Sequence, residues 1–200
     1  MNRKTAFRKF PEIRTKRLLL RQPSMKDAEW YLEHFSRPEV VWGGGDPAPR
    51  NIGAAREELR KYMVDLYRKR LGFRWIITLK GEGRPIGSLG FYKWAPTAGY
   101  QAPPSAGYQA EMGYDLVKEH WGKGIMTEAM KAVIDFGFEK MELHRIEVFI
   151  MPRNKRSIKL VKNLGFKREG LLRERYFDEF GHYTDDVLFS MLRTDWKEKR

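Results

Sequence analysis

Between Glu111 and Phe138 the chain sets two glycines, a lysine and a helix in an order suited to holding an anion. Glu111 to Val117 reads as a strand, Gly122 and Gly124 follow, and a helix with an apolar stripe starts at once at Ile125. Glycines let backbone N–H groups approach a ligand closely, while the first turn of a helix has unsatisfied donors and partial positive charge. Diphosphate is the usual guest of such a place. The run Trp121-Gly-Lys-Gly-Ile-Met-Thr127 is therefore a candidate phosphate cradle built from Gly122, Lys123, Gly124, Ile125, Met126 and Thr127, with Lys123 adding a point charge. Spacing excludes other phosphate loops: there is no Gly-x-x-x-x-Gly-Lys-Ser/Thr and no Gly-x-Gly-x-x-Gly opening a first βαβ unit. Two glycines before a helix also serve as a plain tight turn, and that reading stands beside the first.

Other chemistries find little to work with. The chain has no cysteine, so it offers no disulfide framework, thiol nucleophile or thiolate metal site. His34, His120, His144 and His182 never fall at ligand spacing, and no metal centre is expected. The net charge of +13 is concentrated: residues 1–21 hold eight Lys/Arg against one Glu, and residues 153–175 hold nine against two carboxylates. A local positive field suits phosphates in general, nucleic acid and a multiply charged cofactor alike, and also suits an ordinary solvated face. No run approaches the roughly 20 apolar residues of a membrane helix. The basic N-terminus lacks the apolar stretch of a signal peptide, so a cytoplasmic protein is expected.

The elements that must position the cradle follow from pattern. Two hundred residues, 42% of them hydrophobic, suit one folded domain over 1–200, with 1–14 as a basic N-terminal extension. Leu18–Gln22 reads as a first strand. Ser24 with Asp27 opens a helix whose inward residues are Trp30, Tyr31 and Phe35. Trp42-Gly-Gly-Gly-Asp-Pro47 is expected to be a loop, and a second helix is expected over about 54–70. Strands over 73–79 and 85–94 enclose the turn Gly81-Glu-Gly83. Residues 95–109 form an interruption that contains Ala-Gly-Tyr-Gln-Ala at 98–102, repeated at 106–110, a local duplication rather than a solenoid. It reads as a decorated surface loop, with a substrate contact as the alternative. A helix over about 125–139 presents Ile125, Ala129, Ala132, Val133 and Phe136 on one face. A strand over 145–151, a helix from Asn154 ended by Gly165, and strands over about 166–176 and 183–192 complete a mixed α/β order, β-α-α-β-β-β-α-β-α-β-β.

Several blocks in this order resemble one family. Thr15-Lys-Arg-Leu-Leu-Leu-Arg21, Glu111-Met-Gly-Tyr-Asp-Leu, Trp121-Gly-Lys-Gly-Ile-Met-Thr-Glu-Ala, Leu143-His-Arg-Ile-Glu, Asn154-x-x-Ser157 and Asn163-Leu-Gly-Phe-Lys-Arg-Glu-Gly170 look like the RimJ/RimL branch of the GNAT acetyltransferases. With Asp186 and Trp196 the resemblance spans about Thr15 to Trp196. It implies an α/β GNAT fold, a mixed, mostly antiparallel central sheet flanked by helices and splayed at the acetyl-CoA site. The family's pyrophosphate motif, Arg/Gln-x-x-Gly-x-Gly/Ala, falls on Trp121–Met126; Gly124 is kept, while Trp121 and Met126 depart. It also implies that Leu116 and Val117 give main-chain bonds to pantetheine as to an added strand, and that the Asn154 side chain contacts pantetheine. Asn154 also suits a plain helix N-cap.

Catalytic roles follow the resemblance residue by residue. Glu111 stands where many members carry a general base; the alternative is a strand carboxylate paired with a basic neighbour. The tyrosine that many relatives use as an acid is replaced here by Val161, which has no proton to give. Ser157 is the substitute candidate, or merely a first-turn helix residue. The implied reaction moves acetyl from acetyl-CoA to an amine by direct attack in a ternary complex, with no metal. The branch points to a protein N-terminal α-amine as acceptor, of the ribosomal-protein type and in one reading ribosome-associated, with no membrane partner. A small amine or antibiotic is the second acceptor class. A non-catalytic CoA-binding protein and a basic RNA-binding protein are the remaining readings, the last lacking any RNP strand, KH loop or zinc-finger ligands. Monomer and homodimer both fit.

Overall fold

Phe73, Trp75 and Ile77 alternate with Arg74, Ile76 and Thr78, and all six are buried. A strand covered on both faces needs helices above and below it. The computed structural model, which describes residues 7–44, 47–96, 103, 107–178 and 181–198, supplies them. Among the described residues one sheet contains β1 (Ile13–Arg14), β2 (Leu18–Arg21), β3 (Phe73–Leu79), β4 (Pro85–Pro96), β5 (Tyr108–Leu116), β6 (Leu143–Ile150), β7 (Lys167–Phe177) and β8 (Tyr183–Leu192). Their order is β1-β2-β3-β4-β5-β6-β8-β7, and every pairing is antiparallel except β5 with β6. The mixed, mostly antiparallel sheet is the expected one.

On one face α1 (Ala28–Phe35) and α3 (Ile52–Leu59) close a small core of Trp30, Tyr31, Ala55, Leu59, Met63 and Ile76. On the other, α5 (Ile125–Lys140) and α6 (Lys155–Leu164) share a larger core with Trp75, Phe91, Phe138 and Phe189. Between these come α2 (Pro38–Gly44) and α4 (Asp65–Arg68), and α7 (Arg193–Glu198) ends the described chain. Ser24 and Asp27 start the first helical segment as expected, the Ser24 N–H donating to the Asp27 carboxylate at 2.8 Å. Asn154 caps α6 by accepting from the Ser157 N–H at 3.1 Å, and Gly165 ends that helix at φ 100°.

The structure corrects three boundaries and one buried face. Trp42, Gly43 and Gly44, expected in a loop, finish α2. Proline suits its first position, and Arg153 donates to the Trp42 carbonyl at 3.3 Å, supplying one of the partners a helix end lacks. The helix expected over 54–70 starts at Ile52, because Asn51 accepts from the Ala54 N–H at 3.0 Å, and it passes through a π-helical turn, Arg60–Val64, before α4. The interruption expected over 95–109 is narrower, since β4 runs to Pro96 and β5 starts at Tyr108. The first Ala-Gly-Tyr-Gln-Ala copy, at 98–102, lies outside the described residues, whereas Tyr108 to Ala110 of the second pair with β4 and β6. Finally, α5 buries more than one stripe: Met126, Met130, Ile134 and Phe138 are covered as well, while Ala132 and Phe136 are half-buried. The helix packs on the sheet and against α6, with Trp196 of α7 stacked on Phe138 at 5.2 Å.

Part of the stretch read as an N-terminal extension is built into the domain. Phe10 is buried, Phe7 stacks on Phe73 at 4.9 Å, and β1 pairs with β2.

The parallel pair β5–β6 shapes the site. Its ladder runs from Tyr108↔Leu143 only to Glu111↔Glu147, while β5 continues to Leu116 and β6 to Ile150. Past that rung the two strands part and leave an opening.

Close approach of β3 and β4 depends on Gly90, where an added Cβ would run into the Phe73 carbonyl oxygen and lie 2.7 Å from the Arg74 Cα. Gly90→Ala is expected to cost at least about 2 kcal/mol in denaturant unfolding, as overpacking against backbone does. Gly83→Ala, in a turn at φ 69° with nothing within 4 Å, should cost only about 1 kcal/mol of left-handed strain.

Candidate active site

At one mouth of the opening the chain leaves β5, makes a short turn at Lys118–His120 and reaches the glycines. Gly122 and Gly124 have φ of 74° and 71°, values that L side chains adopt rarely. A Cβ on Gly122 would meet nothing within 4 Å, and one on Gly124 would stand 3.5 Å from the Arg17 guanidinium. The loop is therefore open on the side where a ligand would come. Gly124 caps α5, so the N–H groups of the first turn point out of the helix unsatisfied by it. Ile125 and Met126 bury their side chains and offer backbone only, Thr127 is half-buried, and Lys123 is exposed. The positive helix end and the uncovered Gly122 suit an anion such as a diphosphate.

A buttress holds the loop. The Glu128 carboxylate accepts from Thr15 Oγ1 at 2.6 Å, from the Arg17 N–H at 2.8 Å and from Arg17 Nε at 2.6 Å. Arg17 also donates to the Lys123 carbonyl at 2.9 Å. Burial alone would raise the Glu128 pKa, but the Thr15 and Arg17 donors outweigh it and bring it down to about 2.

Leu116 and Val117 end β5 beside the cradle, yet much of their main chain is engaged inside the protein. The Leu116 carbonyl accepts from the Trp121 indole at 2.8 Å; the Val117 N–H donates to Ile86 at 2.9 Å and its carbonyl accepts from His120 at 3.0 Å. The reason is the turn that starts at Lys118. Strand alternation gives Met112 and Tyr114, along with Leu116, main-chain groups directed away from β4 and toward the opening. The Arg156 guanidinium lies 3.9 Å above the Trp121 ring and fixes the indole from the α6 side.

Glu111 occupies the last rung, on the sheet face that carries α1. There it adjoins a cleft of about 110 Å³ lined by Lys93, Gln109, Ala110, Glu111, Glu147 and Phe149. Lys93 reaches the Glu111 carboxylate at 2.8 Å from a bulge in β4, where its own φ is 49°. The strand carboxylate with a basic neighbour is thus present as geometry; Lys93 is mostly exposed, so the pair is weak and easily opened. Glu147 bonds Arg145 at 2.7 Å. Arg175 stacks on Phe149 at 3.6 Å and bonds Asp186 at 2.8 Å. Burial raises the Asp186 pKa, with Glu111 adding to the rise and Arg175 opposing it.

Ser157 and Asn154 belong to the opposite face, in the first turn of α6. The Asn154 carbonyl oxygen is committed to the helix cap, and its amide nitrogen lies against Gly43 of α2. The Ser157 hydroxyl shares a short hydrogen bond with the phenol of Tyr114. Val161 is fully buried in the core. The sequence reading missed Tyr114, Glu147 and Asp186. Tyr114 lies on the β5 face opposite Glu111, and nothing local in the sequence points to its contact 43 residues away.

Comparisons with known proteins agree with this architecture. The profile described as an Acetyltransferase (GNAT) domain matches residues 17–167. The chain is 35% identical over 182 residues to the uncharacterized N-acetyltransferase p20 of Bacillus licheniformis, covering 91% of this chain and 96% of that protein. It is 37% identical over 89 residues to the [ribosomal protein uS5]-alanine N-acetyltransferase of Escherichia coli, 44% of this chain and 45% of that protein. The crystal structure of the ribosomal-protein-S5-alanine acetyltransferase from Vibrio fischeri superposes with a TM-score of 0.73 at 25% identity, covering 93% of this chain and 98% of that one.

The Glu128 buttress predicts a pH signature. Its carboxyl titrates lower when folded, so its contribution is complete above the ordinary value of 4.5 and is lost as pH falls toward about 2. Glu128→Gln should melt below wild type at pH 7, and the difference should shrink between pH 4.5 and pH 3. A difference that is constant with pH in thermal melts would show that the carboxylate charge is not what holds the loop.

Proposed function

We infer the reaction from the family to which this chain belongs, the GNAT acetyltransferases, and from the opening between β5 and β6. The protein is an acetyl-CoA-dependent N-acetyltransferase. Acetyl-CoA brings an acetyl group activated as a thioester. The reading gives its diphosphate to the backbone of Gly122–Thr127 with Lys123 beside it, and its pantetheine arm to the free edge of β5 from Met112 up to the Leu116 N–H, with Asn154 nearby and Val117 engaged inside the protein.

One observation carries the assignment of roles. Glu111 and Ser157 stand on opposite faces of the sheet at the place where the parallel ladder ends. An acceptor amine enters from the Glu111 cleft, and sulfur departs on the Ser157 side. Glu111 takes the proton from the attacking nitrogen, directly or through a water, and Lys93 must swing aside or share the carboxylate. Ser157 donates a hydrogen bond to the sulfur as it gains charge. With no cysteine in the chain, attack is direct.

The proposed acceptor is the α-amine of a protein N-terminus. The printed specificity of the Escherichia coli relative supports it, and so does acid–base chemistry. An α-amine has a pKa of about 8 and a lysine side chain about 10.4, so at pH 7 about a tenth of the former is neutral against about one part in 2,500 of the latter. A carboxylate base of modest strength serves the first far better.

Two measurements test this. Glu111→Gln should keep acetyl-CoA binding and lower turnover, most severely below pH 7 where neutral amine is scarce; an unchanged pH–rate profile would leave Glu111 a structural ion pair. Mass spectrometry of two peptides of matched sequence, one with a free N-terminus and one N-blocked with an internal lysine, should find acetylation of the first well ahead of the second. Preference for the blocked peptide, or activity confined to small amines, would overturn the acceptor while leaving the transferase reading in place.

A further inference from the structure

Serine alone makes a poor proton donor. Its hydroxyl ionises far less readily than a phenol, whose ordinary pKa is about 10, and a serine that gives up its proton unaided leaves an alkoxide. The usual remedy, a tyrosine on the helix after Ser157, is closed off because Val161 is buried in the core. Yet Ser157 is not alone. Tyr114 lies on β5 three residues beyond the last rung, its phenol hydrogen-bonded to the Ser157 hydroxyl across the opening. The serine is fixed on its other side by the N–H bond to Asn154 Oδ1.

We propose that Tyr114 acts through Ser157 as a positioning residue, the two hydroxyls forming a relay that carries a proton to the departing CoA sulfur. The inference rests on the acetyl-transfer reading above and adds to it a residue that neither the motif nor the relatives' names assign. Nitrogen attacks the carbonyl carbon, and when the C–S bond breaks its electron pair goes to sulfur. The Ser157 proton passes to sulfur, and the Tyr114 proton passes to Ser157 Oγ. The remaining charge lies on a phenolate rather than an alkoxide, and the proton released by the acceptor nitrogen returns to that phenolate through water. Amine and thioester become amide and thiol, with nothing left over. Burial pushes the Tyr114 phenol up to about 12, the Ser157 bond opposing the rise, so the proton is in place at neutral pH.

The geometry also explains why the tyrosine belongs on this strand. Met112, Tyr114 and Leu116 point to the α5–α6 face, while Glu111 points to the other. Residues three apart on one strand therefore serve the two proton transfers from opposite sides, and the opening sits between them.

The test is a double-mutant cycle on the intact enzyme with saturating acetyl-CoA and a free-N-terminus peptide. Tyr114→Phe and Ser157→Ala should each lower kcat by about tenfold to a hundredfold, at or below the low end of general-acid effects. The double variant should lose no more than Ser157→Ala alone, since groups that act as a unit do not add. KM for acetyl-CoA and Tm should stay near wild type. As a check that needs no deletion, a multiply fluorinated tyrosine at 114, with a more acidic phenol, should draw the alkaline limb of kcat to lower pH. Losses that multiply in the double variant, or an alkaline limb that does not move, would overturn the relay. So would Ser157→Ala slowed while Tyr114→Phe keeps wild-type kcat, and that result would leave the serine assignment standing. Wild-type protein that acetylates no amine would overturn both the relay and the reading beneath it.

Discussion

The Asp115 side chain is almost covered in the sheet, 11% exposed, and the arrangement around the opening depends on its carboxylate being satisfied. A buried charge without partners is very costly. Here His34 Nε2 lies 2.7 Å from one oxygen, the Ser88 N–H donates to the same oxygen at 2.9 Å, and Arg74 and the Ser88 hydroxyl hold the other. Burial would raise its pKa, but these partners together hold it below the usual carboxylate range. Arg74 has the same need and meets it through Ser88, Asp115 and the Tyr92 hydroxyl. The guanidinium can pass over β4 and lie against β5 only because position 113 is glycine, where a Cβ would fall 2.8 Å from the Tyr92 ring and 3.1 Å from Arg74.

This network ties α1, β3, β4 and β5 into one unit, and its site-building effect comes from strand alternation. Asp115 can face α1 only if Tyr114 faces α6, and Glu111, four residues earlier, then shares the Asp115 side. The rotation of β5 about its own axis is thereby fixed at the stretch where β6 no longer pairs with it. An unpaired strand edge inside a domain is free to twist and slip. Four hydrogen-bonding partners on Asp115 prevent that, so the opening has rigid walls. The bulge that turns Lys93 toward Glu111 lies on β4, the strand that also contributes Ser88.

The positive charge divides between these tasks. Arg17 is engaged by the loop that holds Gly124, and Arg145 and Arg175 by carboxylates near Glu111. The α6 cations are placed differently. Arg153 and Arg156 each lie over an indole, Trp42 and Trp121, and Lys155, Lys159 and Lys162 are exposed on a helix that has no acidic residue. Their helix starts near the glycine loop, with Arg156 over Trp121, so part of the basic run over 153–175 lies beside the place where a diphosphate would rest. That placement gives the basic composition a use other than nucleic-acid binding.

Much of this protein is legible locally. The cradle from Trp121 to Thr127, the Asn154 cap, the Gly165 stop and the hairpin about Gly81–Gly83 each depend on neighbours within a few residues, and φ preferences and helix-end chemistry act at that range. The helix through Trp42–Gly44 was not legible. One carbonyl of its last turn, that of Trp42, accepts from Arg153, 111 residues away, and three consecutive glycines by themselves favour a loop. Nor could the sequence say that the Leu116 carbonyl would be taken by Trp121, or that Phe7 and Phe10 would seal the sheet. The residues that meet at the opening were decided by tertiary structure alone. Periodicity assigned Glu111 and Tyr114 to opposite faces of a strand, but strand order determines what each face meets. Placing β6 parallel beside β5 for four rungs and then letting it diverge brings Glu147 to Glu111 and Ser157 to Tyr114, because side chains distant in sequence become neighbours only when the sheet sets their strands and helices side by side.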